Sequence, residues 1–476
     1  MLKKIDPWRW ELPRTGGMRV PGLVYASEGM LPKIEREKVA EQVANVAHLP
    51  GIVGRSLAMP DCHWGYGAPV GGVAATDAET GVISPGVVGF DISCGVRLLR
   101  SDLEAAAVRK RIPRIMDALH ARVASGVGKG GPIRLDERGV RRVFERGARW
   151  AVEKGLGGRE DLETCEDGGW LRDADPDAPS ERAAERGRDQ VGTLGSGNHF
   201  LELQEVDEVY DPGTAAVFGL FKGQIVALIH TGSRGSGYQV CEDALRAMQG
   251  VAARSGWRLP DRQLACAPIG SPEGRAYYAA MCAAANYARA NRQAITHFIR
   301  EAFARVLETG PDGLGLRVVY DLCHNIAKFE THLVDGAARR VLVHRKGATR
   351  AFPAGHPDVP EVYRGVGQPV LVPGSMGTAS YVLVGTDAAM RETFGTVCHG
   401  AGRLLSRTQA AKRTDPHLLV RELESSGICV RTDNWKGLAE EAPSAYKDVD
   451  EVVEVCHSSG LAQRVARMRP MGVLKG

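Results

Sequence analysis

The run Gln224-Ile225-Val226-Ala227-Leu228-Ile229-His230, followed at once by Thr231-Gly232-Ser233-Arg234-Gly235-Ser236-Gly237, reads as a strand that delivers a histidine into a glycine-rich turn. Aliphatic and β-branched side chains suit a pleated, covered surface, and the glycines and serines stop it. Leu316-Arg317-Val318-Val319-Tyr320-Asp321-Leu322-Cys323-His324-Asn325 repeats the arrangement. Val87-Val88-Gly89-Phe90-Asp91-Ile92-Ser93-Cys94-Gly95-Val96-Arg97-Leu98-Leu99 reads as short strands meeting at a tight loop. Around these runs, apolar residues recur at helical spacing over 103–123, interrupted at Pro113, over 140–152, over 276–307, the longest, and over 449–468. Further short β-runs fall at 340–344, 370–372 and 381–384. Short strands and helices in no regular alternation, with no fixed-period repeat, predict an α+β fold, a single large body of mixed sheets surrounded by helices. The stretch 161–188 is dense in charge, glycine and proline, with motif-bearing segments on both sides, and is expected to be a surface excursion within that body.

The chain has 476 residues, 43% hydrophobic and 25% charged, an ordinary globular composition with ample core. That length holds about three average domains or one large body. No apolar stretch approaches the roughly 20 residues of a membrane span, and Met1-Leu2-Lys3-Lys4-Ile5-Asp6-Pro7-Trp8 lacks the apolar core of a signal peptide, so a cytoplasmic protein is expected. Ten cysteines without a C-x-x-C pair argue for reduced thiols rather than a disulfide framework or zinc finger. A net charge of +4 is too small to imply polyanion binding by itself. The stretch 335–358 has no acidic residue between its ends but carries Arg339, Arg340, Arg345, Lys346 and Arg350, with His344 and His356, as either a solvated hairpin or a local nucleic-acid surface.

Asp91 and Cys94 share one loop, where a carboxylate and a thiolate can converge on a cation. His199, in Gly195-Ser196-Gly197-Asn198-His199-Phe200, and His230 and His324 add three imidazoles. Three nitrogens, one sulfur and one oxygen suit one crowded site or two adjacent metals sharing the thiolate. Thiolate and imidazole lean towards zinc; a carboxylate beside phosphate fits manganese or magnesium. His48, His120, His297, His332 and His417 read as structural or solvated, and His63 as a turn residue or part of a substrate wall.

In Gly395-Thr396-Val397-Cys398-His399-Gly400-Ala401-Gly402-Arg403 a potential nucleophile meets side-chain-free backbone and then a guanidinium. The run is either a helix start or a loop that lets His399 touch phosphorus while Arg403 grips phosphate. There is no Walker sequence, and Gly128-Lys129-Gly130-Gly131 is a flexible basic turn. Pro373-Gly374-Ser375-Met376-Gly377-Thr378-Ala379-Ser380 is a plain turn or a phosphate or base cradle, and Asn198 and Glu202 flank His199.

Taken together, Asp91-x-x-Cys94-Gly95, Gly195-Ser196-Gly197-Asn198-His199, His230-Thr231-Gly232-Ser233-Arg234-Gly235, His324-Asn325, Pro373-Gly374-Ser375-Met376, His399-Gly400-Ala401-Gly402-Arg403 and Lys475-Gly476 resemble the RtcB family of RNA-splicing ligases, from Pro60-Asp61-Cys62-His63 onward. The resemblance implies a GTP-dependent enzyme that joins RNA 2′,3′-cyclic phosphate or 3′-phosphate ends to 5′-hydroxyl ends, in tRNA splicing or RNA repair. It implies a GMP-histidine intermediate on His399 and an activated RNA end. Two manganese ions would be held by Asp91, Cys94 and His199, and by Cys94, His230 and His324. Guanine-nucleotide contacts would fall to Asn198, Glu202, His324, Asn325, Pro373, Gly374, Ser375, Met376, Ser380, His399, Gly400, Ala401, Gly402, Arg403, Tyr446 and Lys475. A monomer is expected, with the small protein archease as a possible activator. A dinuclear phosphoesterase or nuclease without a covalent intermediate is the first alternative; an RNA-binding protein using the basic stretch is the second.

Overall fold

The computed structural model describes residues 2–126 and 128–476. Two large sheets carry the α+β body. The eight-stranded sheet runs Arg317–Cys323, Gly95–Glu104, Gln224–Thr231, Phe200–Val209, Ala462–Lys475, Ser380–Gly385, Pro369–Val372, with Cys429–Thr432 paired in parallel to the later part of Ala462–Lys475. The seven-stranded sheet runs Lys3–Lys4, Arg9–Leu12, Gly22–Tyr25, Ile52–His63, Val70–Asp77, Ala337–Lys346, Asn325–Val334. The chain crosses from one sheet to the other at His324, between Cys323 and Asn325.

Every residue of Gln224–Thr231 is buried because both faces of its sheet are covered. Ile225, Ala227 and Ile229 pack under the helices Ile112–Arg122 and Pro272–Leu307 with Met116, Leu119 and Phe298. Val226 and Leu228 point the other way, against Val96, Phe218 and Phe352. This two-residue alternation gives an apolar run two cores to serve. The helix Pro272–Leu307 starts with Ser271 accepting from the Gly274 N–H and with proline in its first turn, and most of its length is buried.

Four expectations are corrected. The helical pattern over 449–468 is a helix only at Val449–Ser458; Ala462–Lys475 is a central strand, paired on one side with Phe200–Val209 and on the other with Ser380–Gly385. Its arginines fit either period, and the two waiting strand edges decide. The 140–152 helix is two, Glu137–Arg146 and Ala148–Glu153, split at Gly147, whose φ of +57° and contact with the Gly169 carbonyl leave no room for a side chain. The 161–188 stretch is exposed at residues such as Arg172 and Asp175 but is inserted at its start: Asp161 and Glu166 are buried, paired with Arg300 at 2.6 Å and Lys328 at 2.5 Å. The basic 335–358 stretch is neither a solvated hairpin nor a polyanion surface through most of its charges. Arg345 forms a two-pronged pair with Glu330, Arg350 faces Glu166, and His344 and Lys346 are buried too.

Candidate active site

Sheet register explains why distant residues meet. Gly95 lies opposite both Thr231 and Cys323, and Phe200 lies opposite His230. Cys94, His199, His230 and His324 therefore sit at one end of four neighbouring strands. Two groups form there, Asp91 with Cys94 and His199, and Cys94 with His230 and His324, each with its ligand atoms within 4.8 Å of one another. Cys94 Sγ belongs to both and lies 3.3 Å from Nε2 of His199 and of His230.

Ring orientation is set from behind. His199 Nδ1 faces the Leu194 carbonyl at 2.9 Å, and its Nε2 faces Asp91 Oδ2 at 2.8 Å. His230 Nε2 and His324 Nε2 are 3.3 Å apart. Burial pushes both imidazoles well below their ordinary range, so they face each other as neutral rings with lone pairs to share. Burial also opposes ionisation of Asp91, but its contacts with His199 outweigh that and hold the carboxyl at about 2. Burial and the Asp91 charge push the Cys94 thiol up, a cost that a bound cation would remove. A carboxylate, a thiol and three imidazoles that converge in this way fit divalent metal ions.

Arg292, on the long helix and fully buried, is the brace. It makes a two-pronged pair with Asp321 at 2.8 Å and donates to the carbonyls of Ser93 and Thr231, each at 3.0 Å. One side chain thus ties together the backbone next to Cys94 and to His230. Asn291, one residue earlier, accepts from the Gly192 and Thr193 N–H groups and donates to the Gly232 carbonyl.

His399 follows the short strand Thr396–Cys398, and its ring centroid is 4.8 Å from that of His324. The next helix begins at Arg407, so His399 lies in the glycine-rich loop that precedes it. Asp61 Oδ2 lies 2.5 Å from His399 Nδ1 and also accepts from the backbone N–H groups of His399 and Gly400. Nδ1 therefore carries the proton, and Nε2 is left as the bare atom. Gly402, at φ +73°, is a glycine because a Cβ would sit 2.1 Å from the Asp61 carbonyl oxygen; its freedom serves contact with the protein's own strand. Arg403 is likewise committed inward, to Glu441 at 2.9 Å, Tyr446 Oη at 3.2 Å and the Glu440 carbonyl at 2.7 Å. It shapes the wall, and most of the donors expected to grip phosphate are already in use.

A cleft of about 280 Å³ joins the two constellations. Asp91, Cys94, His230 and His324 meet it on one side, His399, Gly400, Ala401 and Gly402 on another, with Asn198, Asn325, Pro373, Gly374, Ser375, Met376, Tyr446 and Lys475 completing the wall. His63 lines it too, which places that residue in the wall. Glu202 and Ser380 stand behind: Gln204 donates to Glu202 at 2.6 Å and to Ser380 Oγ at 3.0 Å, and Ser380 Oγ accepts from the Gly374 N–H. Glu202 Oε1 is buried and lacks a hydrogen-bond partner among the described residues, and burial pushes its carboxyl up to about 8. A buried acceptor without a donor fits a ligand that brings N–H groups. Asp61, Arg292 and Asn291 carry no role in the sequence reading. Asp61 alone left a signal, as a carboxylate in the polar Pro60-Asp61-Cys62-His63 run.

The family profile described as tRNA-splicing ligase RtcB matches residues 42–476. The tRNA-splicing ligase RtcB of Thermococcus kodakarensis is 55% identical over 476 residues, covering 100% of this chain and 99% of its own length. That of Archaeoglobus fulgidus is 54% identical over 478 residues, with the same coverage. The RNA-splicing ligase RtcB of Mycobacterium tuberculosis is 54% identical over 438 residues, 91% of this chain and 100% of its own. Every residue of the cleft lies inside the matched span, and this chain belongs to the RtcB family.

Proposed function

We propose that this protein is an RNA ligase that uses GTP and two manganese ions to join a 2′,3′-cyclic phosphate or 3′-phosphate end to a 5′-hydroxyl end, through GMP carried on His399. The observation that carries the reading is the orientation of His399: Nδ1 is held by Asp61, and the ring packs beside a ligand of the metal cluster.

In this reading Nε2 attacks the α-phosphorus of GTP. A P–N bond forms, the bond to pyrophosphate breaks, and Asp61 stabilises the charge that develops on the ring. The guanylate then passes to the RNA 3′-phosphate, freeing His399, and the 5′-hydroxyl displaces GMP. Bound manganese would supply electrophilic stabilisation of phosphate oxygens and an activated water to open a cyclic phosphate. Asp91, Cys94, His199, His230 and His324 would hold it, a mixed oxygen, nitrogen and sulfur set. Glu202 would accept from guanine N–H groups, and Asn198, Asn325, Ser375, Tyr446 and Lys475 would line the nucleotide.

The test is incubation with α-labelled GTP, with and without manganese, followed by peptide mapping. Acid-labile, base-stable label on His399, absent in His399→Ala, is the expected result. RNA cleavage without label on protein would instead establish the metallophosphoesterase alternative.

A further inference from the structure

Among the described residues, the large aromatics left open to solvent are Trp64, Tyr66, Phe221, Tyr238 and Trp435, and two of them, Tyr66 and Tyr238, meet at the cleft residue Phe90. Tyr66 and Phe90 meet edge to face with ring centroids 5.2 Å apart, and Phe90 and Tyr238 stack at 4.9 Å with a 25° tilt. Tyr66 and Tyr238 are 37% and 42% exposed, and Trp64, next to the wall residue His63, is 46% exposed. Phe90 lines the cleft and directly precedes Asp91. Arg186 lies over the Tyr238 ring, 5.4 Å from its centroid, with one end fixed by Gln239 at 3.0 Å.

Exposed aromatic rings on a loose loop would collapse onto the surface; these are held. The Gly65 N–H and carbonyl both bond to the Gln42 amide, at 3.0 and 2.6 Å, and the Gly67 N–H bonds to Gln263 at 2.8 Å. Buried Lys346 donates to the carbonyls of Tyr66, Ala68 and Gly86. Phe90 and Tyr238 belong to the packed body, Tyr238 on the helix Arg234–Ala247. The surface is thus preorganised and aromatic, edged by a guanidinium, and joined to the cleft at Phe90. An aliphatic peptide has no use for stacked ring faces with a cation beside them. Unpaired nucleobases on a phosphate chain use both.

We propose that Tyr66, Phe90 and Tyr238, with Arg186, form a base-stacking platform that takes unpaired nucleotides beside the RNA ends to be joined. The proposal rests on the RNA-joining reading above and adds a substrate preference: ends whose last bases are free to unstack are favoured over ends buried in a duplex.

The test combines a protein change with a base deletion. RNA ends carrying an abasic residue at each nucleotide flanking the break in turn are joined by wild type, Tyr238→Ala and Tyr238→Phe. Tyr238→Ala is expected to raise KM for RNA about 10-fold with little change in kcat, and Tyr238→Phe to restore it. At one flanking position the abasic residue costs wild type a similar factor and costs Tyr238→Ala nothing further. Losses that multiply at every position, or an unchanged KM in Tyr238→Ala, overturn the platform while leaving the ligase reading standing. Wild-type protein that joins no ends overturns both.

Discussion

Asp61 Oδ2 lies 2.5 Å from His399 Nδ1 and accepts two further backbone N–H groups from the same loop, so one carboxylate fixes both the tautomer and the position of the His399 ring. Asp61→Asn turns an acceptor into an N–H donor facing Nδ1. The proton then moves to Nε2, the attacking atom of the mechanism proposed above. We expect guanylylation to fall by roughly 100-fold or more, with a much smaller change in melting temperature. Single-turnover labelling with α-labelled GTP beside a thermal melt measures both; wild-type labelling by Asp61→Asn would remove Asp61 from the mechanism.

Asp91 belongs to one of the two ligand groups and Cys94 to both. Manganese bound per chain, counted after gel filtration, is expected to be two in wild type and one in Asp91→Ala. In Cys94→Ala it should fall below one, because both groups lose a ligand. Equal stoichiometry in the two variants would refute a shared thiolate.

Arg292 holds the Ser93 and Thr231 carbonyls without touching the cluster itself. Arg292→Lys keeps the charge but loses the planar fork, and should weaken manganese binding by about 10- to 100-fold. Calorimetric titration of the metal-free protein reads this directly, and the Asp321 partner gives a control: Asp321→Asn should weaken binding in the same direction.

Burial raises Glu202 from an ordinary 4.5 to about 8. Between those values the folded chain keeps a proton that the unfolded chain has released. Its contribution to stability is therefore complete below pH 4.5 and is lost as pH rises through 8. Glu202→Gln does not titrate, so relative to wild type it should gain on the order of 3 kcal/mol between pH 5 and pH 9. Guanine N–H groups call for the ionised carboxylate, so the wild-type guanylylation rate should climb as pH rises towards 8. Parallel pH profiles of melting and labelling test both; a flat difference between variant and wild type would show that Glu202 is ionised throughout.

What could be read from the chain was local. His230 and His324 end obvious strands, and Asp91 and Cys94 share a loop, so the ligand types were visible. Their meeting depends on register, on Gly95 facing Thr231 and Cys323 and on Phe200 facing His230, which no local pattern encodes. Charges were misjudged for the same reason. Arg345 and Arg350 resemble a solvated basic surface until Glu330 and Glu166 arrive from elsewhere, and Arg403 resembles a phosphate clamp until Glu441 and Tyr446 are placed beside it. The 449–468 pattern failed because two arginines, Arg464 and Arg467, among small apolar residues satisfy a helix as well as a strand. Only the open edges of Phe200–Val209 and Ser380–Gly385 distinguish them.

The strand Ala462–Lys475 lies in the middle of its sheet, between partners made more than 250 and about 80 residues earlier. During synthesis the four strands on one side and the two on the other must wait with a gap between them. Until this segment leaves the ribosome, the inner edges of both halves present unpaired backbone, the kind of surface that recruits chaperones or misassembles. Since Lys475 is also part of the cleft wall, the same late step that closes the sheet completes the site. The cleft therefore has its full wall only once this strand is in place.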